Sequence, residues 1–376
     1  MAFFDGRVVV ICLQFSENKI ILYGAGYCGA MFAELLQEKE INIECFFDRN
    51  PQKAGKKIMD IIVKEPCEME MADEYTVVVC LLKKGETYKS IKESLEQLGY
   101  VNVIHVYDLR EDKDLFKNQN LIISPDIEKV KLNAKKYEWL KTMLEDEESK
   151  ETLQAILNYM LEGGEFALQS HSLEEQYFAY DVYQKIENEV VIDCGAFKGD
   201  VMEIFLHKNP QFVKYVAIEP DFHYHGALEE KRNLCEKDKI EIIPLALSNQ
   251  EEMLKMTNYA NEDSVVKENG KIEVRATTLD SLAEKLPVTI LKIDVEGYEQ
   301  KVLEGAKIII KKYLPVIAVA TYHKEEDFYE ICEKIHQLSK EYSFYLRSYM
   351  NLQETVLYAV PRWRSIGGKL ENEVCE

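Results

Sequence analysis

The stretch Val190–Asp200, VVIDCGAFKGD, decides how this chain is read. Three apolar residues run into Asp193, and Gly195 and Gly199 follow. A short apolar run is what a buried parallel strand looks like. In a doubly wound sheet, ligands bind outside the carboxyl ends of the strands. An acid at that edge, followed by glycines that let the backbone approach closely, predicts a loop that cradles a small molecule. The next strand pattern, VKYVAIEPD, ends in Glu219, where a carboxylate can accept hydrogen bonds from ribose hydroxyls. The expected ligand therefore contains a nucleoside. The loop DCGAFKG lacks the GxG of a pyrophosphate cradle, and its carboxylate disfavours a pyrophosphate. It suits an ammonium or a sulfonium, which points to S-adenosylmethionine. The bland alternative is a plain strand-to-helix turn.

Two further stretches belong to the same sheet edge. In Thr289–Ala306, TILKIDVEGYEQKVLEGA, the charges Lys292, Asp294 and Glu296 alternate with Leu291, Ile293 and Val295. Period two puts the three charges on one face. Charged side chains are rarely buried unpaired, so that face is expected to open into the ligand crevice. A solvated edge strand is the competing reading. In AVATYHKEEDFYEI, His323 follows another apolar strand and is a candidate general base, although a lone histidine is more often structural. His223 and His225 read as part of a helix start, not as metal ligands.

Further along the chain, strands are expected at Lys19–Tyr23, Ile41–Phe47, Thr76–Leu82 and Val103–Val106, with helices between them. Strands restart at Val190–Cys194, Tyr215–Glu219, Ile240–Leu247, Thr289–Val295, Val316–Tyr322, Phe344–Arg347 and Thr355–Val360, the last two as an antiparallel pair. A polar insert with a hairpin is expected at about 249–285. The resulting class is α/β, with two Rossmann-like parallel-sheet domains joined by a helical segment. The expected divisions are a nucleotide- or nucleotide-sugar-binding domain at 1–115, a helical bridge at 116–187, a seven-stranded domain at 188–365 and a tail at 366–376.

DCGAFKGD, AIEPD, LALSN, TTLDSL and above all LKIDVEGYEQKVLEGA resemble the FkbM-type methyltransferase family, over about residues 174–362. YHKEEDFYEI, YLRSY and TVLYAV resemble the end of one branch of it. The resemblance implies a class I, S-adenosylmethionine-dependent methyltransferase acting on a hydroxyl oxygen, often of a sugar or another small molecule. It implies that Asp193, Gly195, Ala196 and Gly199 line the methionine part of the cofactor. Glu219 would hold the ribose, Pro220 and Asp221 would shape the adenine side, and Leu247 and Ser248 would lie near the adenine. Asp294 would face the methyl group and the substrate, with His323 as a second candidate base and Lys292 orienting or pairing. Two positions depart from the pattern: Ala318–Thr321 lacks an acid that some members carry, and Ser348 stands where histidine is expected.

At the front of the chain, ILYGAGYCGAMFAELL and FFDRNPQKAGKKI are similar to the nucleotide-sugar-binding domain of some sugar acyltransferases. Gly24, Gly26 and Gly29 form GxGxxG directly after a strand, and Asp48 follows the next strand. A nucleotide or nucleotide-sugar is the expected ligand, and a docking domain without a ligand is the bland reading. The rivals to methyl transfer are a nicotinamide-dependent oxidoreductase or a nucleotide-sugar sensor centred on this domain.

Bulk composition narrows the partners. The net charge of −21 opposes nucleic acid, which needs a basic footprint. The 9 cysteines form no CxxC pair and show no metal-ligand spacing, so reduced thiols in a cytoplasmic protein without a metal are expected. MAFFDGRVVVICLQF does not read as a signal peptide, and no apolar run is long enough to span a membrane. The expected partner is a small-molecule or glycan acceptor, and a homo-oligomer is compatible with the sequence.

Overall fold

The computed structural model describes residues 19–81, 85–109, 125–162, 171–233, 237–256, 270, 272–350 and 353–366. The N-terminal segment read for a signal peptide, and Cys12, Cys235 and Cys375, lie outside them. The chain divides into two compact units, one of residues 1–127 with 158–167, the other of 128–157 with 168–376.

The first unit holds a six-stranded sheet in the order β3-β4-β2-β1-β5-β6. Its strands are β1 (Lys19–Tyr23), β2 (Ile43–Phe47), β3 (Lys57–Ile58), β4 (Ile61–Lys64), β5 (Tyr75–Val79) and β6 (Asn102–His105). All pairings are parallel except β3 with β4. Helices Tyr27–Glu38 and Gly85–Gln97 form the crossovers. Four of these strands fall where the sequence places them. The β3–β4 hairpin does not appear in that reading. Its two turn residues, Met59 and Asp60, both have positive φ (51° and 65°), the conformation that Asn-Gly normally announces. Met-Asp carries no such signal.

The second unit is built on seven strands in the order β15-β16-β14-β13-β7-β8-β9. β7 (Val190–Cys194) is buried at every position and has β13 (Ile290–Ile293) and β8 (Lys214–Ile218) as parallel neighbours. β9 (Ile240–Ile243) and β14 (Val316–Ala320) extend the parallel part. β15 (Tyr342–Met350) and β16 (Gln353–Pro361) form the expected antiparallel pair, and β16 is the strand that meets β14. This is the mixed seven-stranded sheet expected from the sequence, five parallel strands with an antiparallel pair at one edge. The polar insert contributes β10 (Ala246–Leu247), β11 (Glu252–Met256) and β12 (Ile272–Thr277), a small separate sheet. Pro244 cannot donate to a ladder, so the single strand expected over Ile240–Leu247 is two.

Along the chain, helices Ile127–Leu132, Ala134–Met143 and Glu147–Glu162 come after β6 and before β7. Tyr177, Phe178 and Tyr183 pack in the same core cluster as Val191, Phe205 and Tyr358. The segment leading into β7 is thus part of the second unit's core.

Candidate functional site

At the carboxyl ends of β7, β8 and β13 opens a cavity of about 490 Å³. Gly195 and Ala196 from the loop after β7, Glu219 and Pro220 after β8, and Leu247 on β10 line it. Asp294 lines it from beyond β13. Gly195 has φ +81°, and a Cβ there would stand 1.8 Å from the Asp294 carbonyl oxygen. The loop after β7 therefore runs directly against the end of β13 and needs glycine to do so.

Glu219 holds this loop in place. Its carboxylate accepts from the Phe197 amide at 2.9 Å and from the Asp221 amide at 2.8 Å. Burial pushes its pKa up despite these bonds and the Lys292 charge. Four other residues carried over from the family pattern do not reach the cavity wall. Asp221 caps the start of helix Phe222–Asn233 through the His223 amide, and His223 Nδ1 also meets it. Ser248 is fully buried against Glu252. Gly199 precedes helix Asp200–Lys208 as its N-cap.

Asp193 is the fourth. It is fully buried, with one carboxylate oxygen on the Tyr215 hydroxyl (2.7 Å) and the other 2.9 Å from Lys292 Nζ. Lys292 in turn reaches the carbonyls of Cys194 and Gly195, and lies over the Tyr177 ring. The aspartate at the strand end thus anchors the lysine that clamps the loop, and does not itself line the cavity. β13 stops at Ile293, so Asp294 and Glu296 lie in a loop beyond the strand and not on one pleated face with Lys292. Glu296 sits there at φ +52°.

The far end of the cavity is acidic and aromatic. Asp294, Glu296 and Glu354 line it together with Tyr177 and Tyr322. The Tyr177 hydroxyl donates to Asp294 Oδ2 at 2.7 Å. Burial raises the pKa of Asp294, Glu354 and Tyr177; the Asp294 charge also raises that of Glu354, and both carboxylates add to the rise at Tyr177. His323 stands behind this wall. Its Nδ1 is 3.0 Å from Glu299 Oε1, and its Nε2 is 3.3 Å from Glu296 Oε2 and 3.7 Å from Asp294 Oδ1. Burial alone would lower the pKa of the ring, but the carboxylates of Glu299 and Glu296 hold it well above the usual imidazole range.

Tyr177, Tyr322 and Glu354 were not singled out in the sequence. EEQYFAYDVY reads only as a lead-in to a strand, and Glu354 takes its place near the start of β16 at φ +55°. Glu299 lies within the KIDVEGYE block, four residues beyond Val295, whose amide it accepts.

In the first unit, Gly24 takes φ +111°, and a Cβ at Gly29 would stand 1.9 Å from the Gly24 carbonyl oxygen. These are the tight turn and close packing that GxGxxG supplies. Gly26 faces open space. Asp48 accepts from the Ala25 amide and pairs with Lys53, whose ammonium also donates to the Ala25 carbonyl, each at 2.9 Å.

Residues 193–346 match the Methyltransferase FkbM domain family. The chain carries an FkbM methyltransferase domain. Residues 16–106 match a second family, described as C2185-like, N-terminal. A crystal structure of methyltransferase FkbM from Methylobacillus flagellatus superposes with TM-score 0.74 at 16% identity, covering 95% of this chain and 94% of that one. At this identity the likeness speaks for the fold. An rRNA methylase from Streptococcus thermophilus matches at TM-score 0.32 and 15% identity, over 48% of this chain and 89% of its own. A Streptococcus mutans protein named as a methyltransferase and solved with SAH matches at TM-score 0.31 and 14% identity, over 51% and 99%. No curated protein matches the chain. The cavity described above is framed by residues of the FkbM domain and by the flanking Tyr177 and Glu354. The match supports methyl transfer in general as the chemistry of this domain. No helix among the described residues is long and apolar enough to cross a membrane.

Proposed function

We propose that the FkbM domain binds S-adenosylmethionine and transfers its methyl group to a hydroxyl oxygen of a small-molecule or glycan acceptor. The observation that carries this reading is the placement of Glu219: an acid at the tip of the second strand, inside the cavity, with its carboxylate fixed by two backbone amides. That is where ribose hydroxyls are held in folds of this kind. The positive sulfonium then points toward the acidic end formed by Asp294, Glu296 and Glu354. Transfer is an in-line displacement. The acceptor oxygen forms a bond to the methyl carbon, the S–CH₃ bond breaks with its electrons returning to sulfur, and the hydroxyl proton leaves to the carboxylates at that end. Most of the acceleration comes from positioning, with roughly 10²–10⁴-fold from the base.

The test is calorimetric titration of the full chain with S-adenosylhomocysteine, wild type beside Glu219→Ala. Binding weakened at least about tenfold in the variant supports the reading, since the ribose loses its charged acceptor. A wild type that takes up no heat sinks it. Asp294→Ala separates methyl transfer from oxidoreductase or sensor activity in the first unit, because only methyl transfer depends on Asp294.

A further inference from the structure

The arrangement around His323 has more order than a cavity wall requires. Glu299 is fully buried, and its Oε1 accepts from the Val295 and Gly297 amides at 3.0 and 3.2 Å. That fixed oxygen lies 3.0 Å from His323 Nδ1. Nε2 is thereby turned toward Asp294 Oδ1 and Glu296 Oε2, at 3.7 and 3.3 Å. A carboxylate on one ring nitrogen that aims the other at a cluster of oxygen donors is how proteins orient a metal-bound histidine. The spacing agrees: ligands roughly 2.1 Å from one ion stand about 3–4 Å apart. Asp294, Glu299 and His323 each offer a donor atom within 4.8 Å of the others. A second observation also points to a missing cation. Asp294 Oδ1, Glu299 Oε2 and both ring nitrogens of His323 are buried atoms without a hydrogen-bond partner. The same corner holds Glu354 as a further carboxylate, while Lys292 is taken by Asp193.

We propose that Asp294, Glu296 and His323 Nε2 bind a divalent cation at the acidic end of the cavity, with Glu299 orienting the histidine. Oxygen and imidazole donors select a Mg²⁺- or Mn²⁺-like ion over a thiophilic one. Because Asp294 and Glu296 line the cavity, the ion's open positions face the acceptor. It would hold the acceptor hydroxyl and acidify it, leaving Glu354 to receive the proton. The purpose of the site rests on the methyl-transfer reading, but its existence does not.

The test uses the full chain freed of metal with EDTA and titrated with MnCl₂, free Mn²⁺ being followed by electron paramagnetic resonance. The expected result is about one saturable site per chain, weakened at least about tenfold in Asp294→Asn and in His323→Gln. Glu296→Gln, a change on a partly exposed loop residue, gives the same reading if the buried variants do not fold. No saturable binding to wild type, or binding undiminished in the folded variants, overturns the proposal. Titration with S-adenosylhomocysteine on the same sample keeps the two readings apart. Cofactor bound without Mn²⁺ removes the ion site alone, and Mn²⁺ bound without cofactor removes the methyl-transfer reading alone.

Discussion

Asp193 and Lys292 are register partners on neighbouring parallel strands, and their side chains meet at 2.9 Å with almost no exposure to solvent. Removing one member strands the other charge in the core. Lys292→Met is expected to lower stability by about 3–5 kcal/mol, measured by urea unfolding. The double variant Asp193→Asn, Lys292→Met should lose less than the single one. A single variant that unfolds at the wild-type midpoint would show that the pair does not hold the strand ends.

Glycine positions offer a contrast in one unit. Gly195→Ala drives a Cβ into the Asp294 carbonyl at 1.8 Å, from a φ that alanine resists. A loss of more than about 2 kcal/mol is expected, together with weakened S-adenosylhomocysteine binding. Gly226 lies in helix Phe222–Asn233 with nothing within 4 Å of a Cβ. Gly226→Ala should stabilise by about 0.5–1 kcal/mol. Equal melting temperatures for the two variants would contradict both statements.

Stability should also respond to pH through Asp327. Burial first, and the Glu299 charge second, raise its carboxyl from 3.8 to about 7. The folded state then holds a proton that the unfolded state releases, so this group's contribution falls as pH rises from about 4 to about 7. Asp327→Asn has no proton to lose. The stability of the variant relative to wild type should therefore climb between pH 5 and pH 8 in paired urea titrations. A difference that stays flat across that range would place the Asp327 carboxyl at its ordinary value.

In the first unit, Gly29→Ala meets the Gly24 carbonyl at 1.9 Å, whereas Gly26→Ala meets nothing. Limited proteolysis should cut the first variant's N-terminal unit faster and leave the second like wild type.

The parallel strands were legible because each is an unbroken apolar run: VVIDC, KYVAI and VIAVA are buried along their length or nearly so. Glu219 was legible for the same reason, as a charge at the end of such a run, whereas Asp294 was read on a strand face with Lys292 and Glu296 and lies in the loop beyond β13. What each charge faces was not legible. Whether Asp193 meets a ligand or Lys292 depends on the register of β7 against β13, two strands about a hundred residues apart in sequence. The environment of His323 depends likewise on Glu299, brought to it by the turn beyond β13. A lone histidine after a strand reads as a base, and the carboxylates of Glu299 and Glu296 beside it raise its pKa against the effect of burial. The β3–β4 hairpin stayed hidden because its turn uses residues that carry no turn signal.

The β15–β16 hairpin brings a consequence for synthesis. β16 is the last described strand, yet it lies inside the sheet, against β14, and it carries Glu354 to the cavity. A ribosome would release β7, β8, β9, β13 and β14 first, enough to shape the end that holds Glu219. The acidic end would be finished only when the hairpin emerges and docks. Maturation of this domain would then be ordered, with the Glu219 end of the cavity made before the acidic end.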